Sequence, residues 1–284
     1  MPELPEVETT TRGLRKTVVG LTIKDVWTDL STKDKRKSDS VANPKFFKTF
    51  KKEVTGKKIL SAERRAKNIL INLSGHQTIL VHMKMTGYLF YGENPKIKFA
   101  HVVFTLSNKK YLVFSDIRKF GKITLLDTKT AHDSKHLNNI GPEPLDKNFT
   151  LKTLTERLNK KLKGKIKTVL MDPSIVAGIG NIYSDEILWR AGINPERQVS
   201  KITQKELELI FKAIKETLKK GIDFGGDSMS DYKNIYGLPG KFQMHHEAYR
   251  RTGEKCRKKG CGGIITRKVI NGRSAHFCSK HQAS

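Results

Sequence analysis

The sequence predicts an α+β chain: a helix, then a strand-rich half, then a helical half closed by a small cysteine-bearing hairpin. Three observations carry this. Short β-branched and aromatic runs broken by turn residues dominate the stretch from KNILINL to KYLVFSD, residues 67–116. Apolar residues at helical spacing take over beyond residue 150. All three cysteines, Cys256, Cys261 and Cys278, lie near the C-terminus.

The elements follow in order. The opening MPELPEVETT crowds Pro2, Pro5, Glu3, Glu6 and Glu8 together. Proline suits the first turn of a helix and glutamate its positive pole. Val7, Leu14 and Val18 continue at near-helical spacing towards Gly20, a plausible C-cap. KDKRKSDS (33–40) reads as a mobile polar loop. KNILINL and TILVHMKM flank SGHQ, and HVVFTL and KYLVFSD flank SNK, which reads as two antiparallel hairpins. GPEPLDKN (141–148) has the prolines, glycine and polar residues of a linker. Thr150 is placed to cap TLKTLTERLNKKL, with Leu151, Leu154, Leu158 and Leu162 as one apolar stripe. Thr203 and Glu206 form a capping-box pattern ahead of Leu207, Ile210, Phe211, Ile214 and Leu218, and Gly221 ends that helix. The Gly-rich segment 225–242 is long for a structureless connection, which makes it a candidate functional loop. The expected boundaries are 1–143, a hinge at 144–149, 150–243 and 244–284.

Composition narrows the partners. Lys and Arg number 55 against 28 Asp and Glu, a net charge of +27. Such an excess suits a polyanion, most simply nucleic acid, because neutralised phosphates release condensed counterions. A solubilising or ribosome-associated surface is the alternative that composition leaves open. No apolar run approaches the roughly 18 residues of a spanning helix. Acids stand where a secretory signal would carry bases, which points to an intracellular, cytoplasmic protein.

Three clustered cysteines argue against a disulfide framework and towards a metal site one ligand short. Cys256-x4-Cys261-x16-Cys278-x2-His281 supplies that ligand set as two close pairs one hairpin apart, which suits a structural zinc ion. His276 is the rival fourth ligand, but it lies within the second strand, two residues before Cys278. Asn271-Gly272 is a strong hairpin turn between the pairs. Residues 241–284 hold eleven Lys or Arg and two Glu. Arg273, near the turn, is either the tip of a basic finger suited to a groove or a solvated charge.

MPELPEVETT, RRAKNILINL, HMKMTG, SDIRKFG, IGPEP, VAGIGNIYSDEILW and the C-terminal ligand pairs occur in the order seen in bacterial formamidopyrimidine-DNA glycosylases, and the chain resembles that family over essentially its whole length. The resemblance implies an N-terminal β-sandwich behind an N-terminal helix, then a helix-two-turn-helix domain and a β-hairpin zinc finger. It implies a monomeric base-excision-repair enzyme that removes 8-oxoguanine and formamidopyrimidines from duplex DNA and then cuts the strand, using one structural zinc and no small-molecule cofactor. Pro2, after loss of Met1, matches the family nucleophile. An α-amine with a pKa near ~8 is far less protonated at neutrality than a lysine near ~10.4. Glu3 matches the general acid/base and Glu6 a second carboxylate of the same site. Helix-dipole complementation alone also accounts for both. Lys67 matches a lysine on the lesion's phosphates, or is simply a strand-end cation.

Extruding a base leaves a hole in the duplex, and Met85, Arg118 and Phe120 match the family's inserted triad. Read alone, Met85 and Phe120 suit a hairpin core. Asn181, where GIGNIY opens a helix, and Arg273 match the backbone-clamping residues; a plain helix cap would use the same Asn181. His82 matches the family as well, or serves local packing. Two departures stand out: the first cysteine pair is spaced x4 rather than x2 with His281 in place of a fourth cysteine, and the lysine excess is higher than is usual in the family. The alternatives are an endonuclease VIII-like glycosylase for oxidised pyrimidines and a non-catalytic zinc protein that binds nucleic acid.

Overall fold

A computed structural model describes residues 1–229 and 231–282. The chain forms two compact units: residues 1–138 with 224–241, and residues 139–223 with 242 onward.

The first unit opens with helix α1 (Leu4–Thr17), begun by a Glu3/Glu6 capping box and a proline in its first turn. Strand β1 (Ile23–Thr28) and helix α2 (Pro44–Val54) follow, then β2 (Ile59–Arg65), β3 (Asn68–Leu73), β4 (Gln77–His82), β5 (Gly87–Gly92), β6 (Ala100–Leu106), β7 (Tyr111–Asp116) and β8 (Lys122–Asp127). They make two antiparallel four-stranded sheets, ordered β1-β6-β7-β5 and β2-β3-β4-β8. Ile69, Ile71, Ile79 and Val81 of one sheet share a core with Leu89, Val102, Phe104 and Phe114 of the other, and Val7 and Leu14 of α1 join it. This is a β-sandwich, and β3 is buried almost continuously because α1 also packs on its sheet.

Residues 33–40 do form a polar loop, with a short 3-10 turn at Lys35–Lys37. Lys37 Nζ donates to the Lys119 carbonyl (2.8 Å), and Asp39 pairs with Lys122 (2.7 Å) and Lys135 (2.9 Å). Those partners lie some eighty or more residues away and leave no local signal. One expectation is corrected in this unit: the segment 224–241, expected with the helical half, packs here instead. Tyr232 donates its hydroxyl proton to the Glu6 carbonyl (3.0 Å), and Ile235 is buried in the sandwich core. Gly13 makes room for it: a Cβ there would stand 2.3 Å from Ile235 Cγ2.

The second unit contains α3 (Leu151–Leu158), α4 (Ile166–Leu170), α5 (Asn181–Ala191), α6 (Gln204–Asp223) and the hairpin β9 (Ile265–Ile270) with β10 (Arg273–Cys278). Residues 144–149, the expected hinge, form turns without helix or strand, exposed at 146–148. They are anchored at the end by Phe149, which is buried with its ring 5.6 Å from Phe211. Just before them Gly141 N–H donates to the Pro173 carbonyl (2.8 Å). Thr150 caps α3 as expected, accepting from Thr153 N–H (3.2 Å). The stripe stops at Leu158, because a 3-10 turn at 159–161 changes the period and leaves Leu162 exposed. Thr203 and Glu206 form the anticipated capping box, and α6 runs two residues past Gly221. Asn271 (φ +47°) and Gly272 (φ +75°) close the β9–β10 hairpin in the left-handed conformation that an Asn-Gly turn favours. No described helix is long and apolar enough to cross a membrane.

Candidate functional site

The N-terminal end of α1 concentrates carboxylates. Glu3 and Glu6 are 2% and 1% exposed. One oxygen of Glu6 accepts from Glu3 N–H (2.7 Å) and the other from Asp227 N–H (2.7 Å), so a single side chain ties the helix start to the 224–241 segment. Gly226 permits that approach: its φ is +87°, and a Cβ would stand 2.9 Å from the Glu6 Cγ. Pro2 is buried beside Glu3, and Met1 is exposed. Glu8 is bound up in ion pairs with Arg12, Arg15 and Arg64. Burial pushes its carboxyl up, but Arg64, Arg12 and Arg15 outweigh that and hold it below the usual range.

The position of Lys67 follows from how α1 lies. Glu8 meets Arg64 while Arg15 Nε donates to the Ala62 carbonyl (2.7 Å), so the start of α1 points to the end of β2. The β2–β3 turn there consists of Ala66, at φ +53°, and Lys67. Across the next ladder His82 faces Asn68. His82 Nδ1 accepts from Lys84 N–H (3.0 Å), which leaves the proton on Nε2. Covering of the ring, reinforced by the charges of Lys84 and Lys67, pulls its pKa down to about 3.

Met85, Arg118 and Phe120 are all exposed, Met85 in the β4–β5 turn and the other two in the β7–β8 loop. The Arg118 guanidinium lies 4.5 Å from the Phe120 ring centroid, a cation–π pair. None of the three serves the hairpin core, which settles the alternative against core packing. A residue that sequence reasoning passed over joins their loops. The buried carboxylate of Asp116 accepts from the Thr86 hydroxyl beside Met85, and from Arg118 N–H (3.3 Å) and Gly121 N–H (2.7 Å). Its only sequence signal was an acid at the junction of a strand and a turn.

In the second unit Asn181 opens α5, and its side-chain amide donates to the Ser274 hydroxyl (3.1 Å), next to Arg273. Its Oδ1 is buried with no protein partner among the described residues. Arg273 is exposed and lines a small recess with Thr168, Met171, Asp172 and Asn271. Below it sits an interaction that sequence reasoning missed. Lys167 and Asp185 form a fully buried ion pair (2.6 Å), and Lys167 also donates to the Asn181 carbonyl (3.3 Å). The other Asp185 oxygen accepts from His276 N–H (3.0 Å) and contacts its Nδ1 (2.9 Å).

That contact takes His276 away from the cysteines and leaves His281 as the fourth member of their cluster. The ligand atoms of Cys256, Cys261, Cys278 and His281 all lie within 4.8 Å of one another, so the four residues could hold a metal ion. Cys256 Sγ is 3.3 Å and Cys261 Sγ 3.9 Å from His281 Nδ1, and the Cys261 and Cys278 sulfurs are 3.6 Å apart. His281 Nε2 points at the Trp189 carbonyl (3.0 Å), which leaves the Nδ1 lone pair facing the sulfurs. Gly263 keeps the space clear, since a Cβ would stand 2.5 Å from Cys278 Sγ.

Comparison with known proteins agrees over the full chain. Residues 1–123 match the family model of the formamidopyrimidine-DNA glycosylase N-terminal domain, and residues 140–233 that of the formamidopyrimidine-DNA glycosylase H2TH domain. Proteins named formamidopyrimidine-DNA glycosylase from Herpetosiphon aurantiacus and Bacillus subtilis are 40% and 38% identical, covering 100% and 99% of both chains. The Lactococcus lactis Fpg in complex with abasic-site DNA superposes with a TM-score of 0.88 at 33% identity, covering 99% of this chain and 100% of that one. Its complex with Fapy-dG DNA gives 0.87 at 34%, with the same coverage.

Proposed function

The chain belongs to the formamidopyrimidine-DNA glycosylase family, and from that membership we propose that Pro2, freed by removal of Met1, is the nucleophile of its reaction. The enzyme is a base-excision-repair DNA glycosylase and lyase for oxidised purines in duplex DNA. In this reading the Pro2 secondary amine attacks C1′ of the extruded nucleotide. The glycosidic bond breaks and the base leaves with a proton. The nitrogen gives up its own proton, and the C1′–O4′ bond then opens as O4′ takes a proton, so that the nitrogen lone pair forms a cationic iminium at C1′. The iminium draws electrons from C2′, so loss of a C2′ proton expels the 3′ phosphate, and a second elimination can release the 5′ phosphate.

The observation that carries the assignment is the buried Glu3–Glu6 pair beside Pro2, held by backbone donors from two segments. Glu3 handles protons at the sugar and the departing base, while Glu6 orients the N-terminus. Lys67, whose turn lies at the same end of the unit, takes the lesion's phosphates. Met85, Arg118 and Phe120 enter the duplex and fill the space of the extruded base. Asn181 and Arg273 grip the DNA backbone. Cys256, Cys261, Cys278 and His281 hold one structural zinc ion, which would lock the hairpin carrying Arg273. Zn–S bonds of ~2.3 Å give tetrahedral edges of roughly 3.8 Å, close to the sulfur–sulfur spacing here. The enzyme acts as a monomer on the chromosome, in the cytoplasm.

Borohydride reduction of the iminium on 8-oxoguanine duplex tests the nucleophile. Protein lacking Met1 should be trapped covalently, and protein that retains Met1 should not. Equal trapping of both forms would exclude Pro2. Faster excision of thymine glycol than of 8-oxoguanine would move the enzyme to the endonuclease VIII reading.

A further inference from the structure

We infer that Asp116 is a positioning residue that makes the two probe-bearing loops enter DNA as one body. The inference rests on the reading that Met85, Arg118 and Phe120 fill the vacated space. Those residues come from turns more than thirty positions apart, and separate loops would each lose conformational freedom on entering the duplex.

The Asp116 carboxylate removes that independence. Its Oδ2 accepts from Gly121 N–H (2.7 Å), which closes the β7–β8 loop onto its own base. Its Oδ1 accepts both from Arg118 N–H (3.3 Å) and from the Thr86 hydroxyl of the other turn. Thr86 Oγ1 in turn accepts from Arg118 N–H (3.1 Å), so the link between the loops runs through both side chains. Each loop also holds a non-glycine residue in the left-handed region, Lys84 at φ +56° and Lys119 at φ +53°. Such conformations persist where surrounding bonds over-determine them. Beneath the loops Phe114 is a fixed floor: a Cβ at Gly87 or Gly121 would stand 2.7 or 2.3 Å from its ring. Lys37 adds an outer brace through the Lys119 carbonyl (2.8 Å). The carboxylate itself is 1% exposed, so its purpose is internal.

Two near-isosteric variants separate positioning from folding. Asp116→Asn turns one acceptor oxygen into an NH2 group that cannot accept a backbone N–H. Thr86→Val cuts only the link between the loops and leaves Asp116 its grip on Gly121. Single-turnover rates are read on 8-oxoguanine paired with cytosine and on the same duplex with a preformed abasic site, where no base has to be extruded. Both variants should lose about tenfold on the paired lesion, the scale of one charge-assisted hydrogen bond, and much less on the abasic site. The double variant should lose no more than Asp116→Asn alone, because both changes break the same link. Equal losses on the two substrates, no loss on either, or multiplied losses in the double variant would overturn the inference. Phe120→Ala identifies which idea has failed. If it does not split the two substrates, the void-filling reading is wrong. If it splits them and Thr86→Val does not, the positioning role alone is wrong.

Discussion

Covering of the ring and the charges of Lys84 and Lys67 hold the His82 imidazole neutral down to about pH 3. An unfolded chain takes up that proton near ~6.5. The unfolded state therefore binds more protons than the native state between those values, and this site costs stability as pH falls from about 6.5 towards 3. Urea midpoints at pH 5 and pH 7.5 check it: His82→Gln should narrow the gap between them, and an unchanged gap would contradict the depressed pKa. The same state means His82 contributes no limb to the excision profile between about pH 5 and 8. Single residues were legible to different depths. Glu3, Glu6 and Pro2 stood out because acids and prolines at a helix start are chemically conspicuous in a basic chain. Asp116, Thr86 and the Lys167–Asp185 pair did not, because their role exists only through partners that no spacing announces.

Elements with a local cause were readable to within a few residues. The Asn271-Gly272 hairpin, the Thr150 cap and the Thr203/Glu206 box each follow from backbone geometry or an N-terminal orphan N–H. The cysteine-bearing hairpin is the element whose loss should be most informative. Elemental analysis should find one zinc per chain, and chelation or His281→Ala should remove it. Backbone amides of β9 and β10 should then exchange faster and DNA affinity fall by about tenfold or more, because the scaffold of Arg273 loosens. Metal retained at full occupancy in His281→Ala would return the fourth-ligand question to His276, against its contact with Asp185. The 33–40 segment shows the opposite case in its partners. Its polarity reads as a loop, but the ion pairs to Lys122 and Lys135 that hold it in place leave no local signal.

At the scale of the whole molecule the charge of +27 makes binding to DNA strongly salt-dependent. A plot of log affinity against log salt should be steep, and Arg273→Ala should make it shallower by about one unit while weakening all DNA sequences alike. An unchanged slope would place Arg273 off the phosphates. Gly20 does not cap α1, which ends earlier with Val18 as its C-cap. The sequence by itself determined the α+β class, the grouping of Cys256, Cys261, Cys278 and His281, the N-caps at Thr150 and Thr203, the Asn271-Gly272 turn and the carboxylates around Pro2. Each of these is written in neighbouring residues, through period, capping or turn conformation. Only the tertiary structure decided that 224–241 packs with the first unit, that Phe149 packs on Phe211, that His276 faces Asp185, and that Asp116 joins two loops. Those outcomes depend on which distant surfaces bury each other and which distant donors find an acceptor. Packing and hydrogen bonding between residues far apart in sequence set them, and a local pattern carries no record of either.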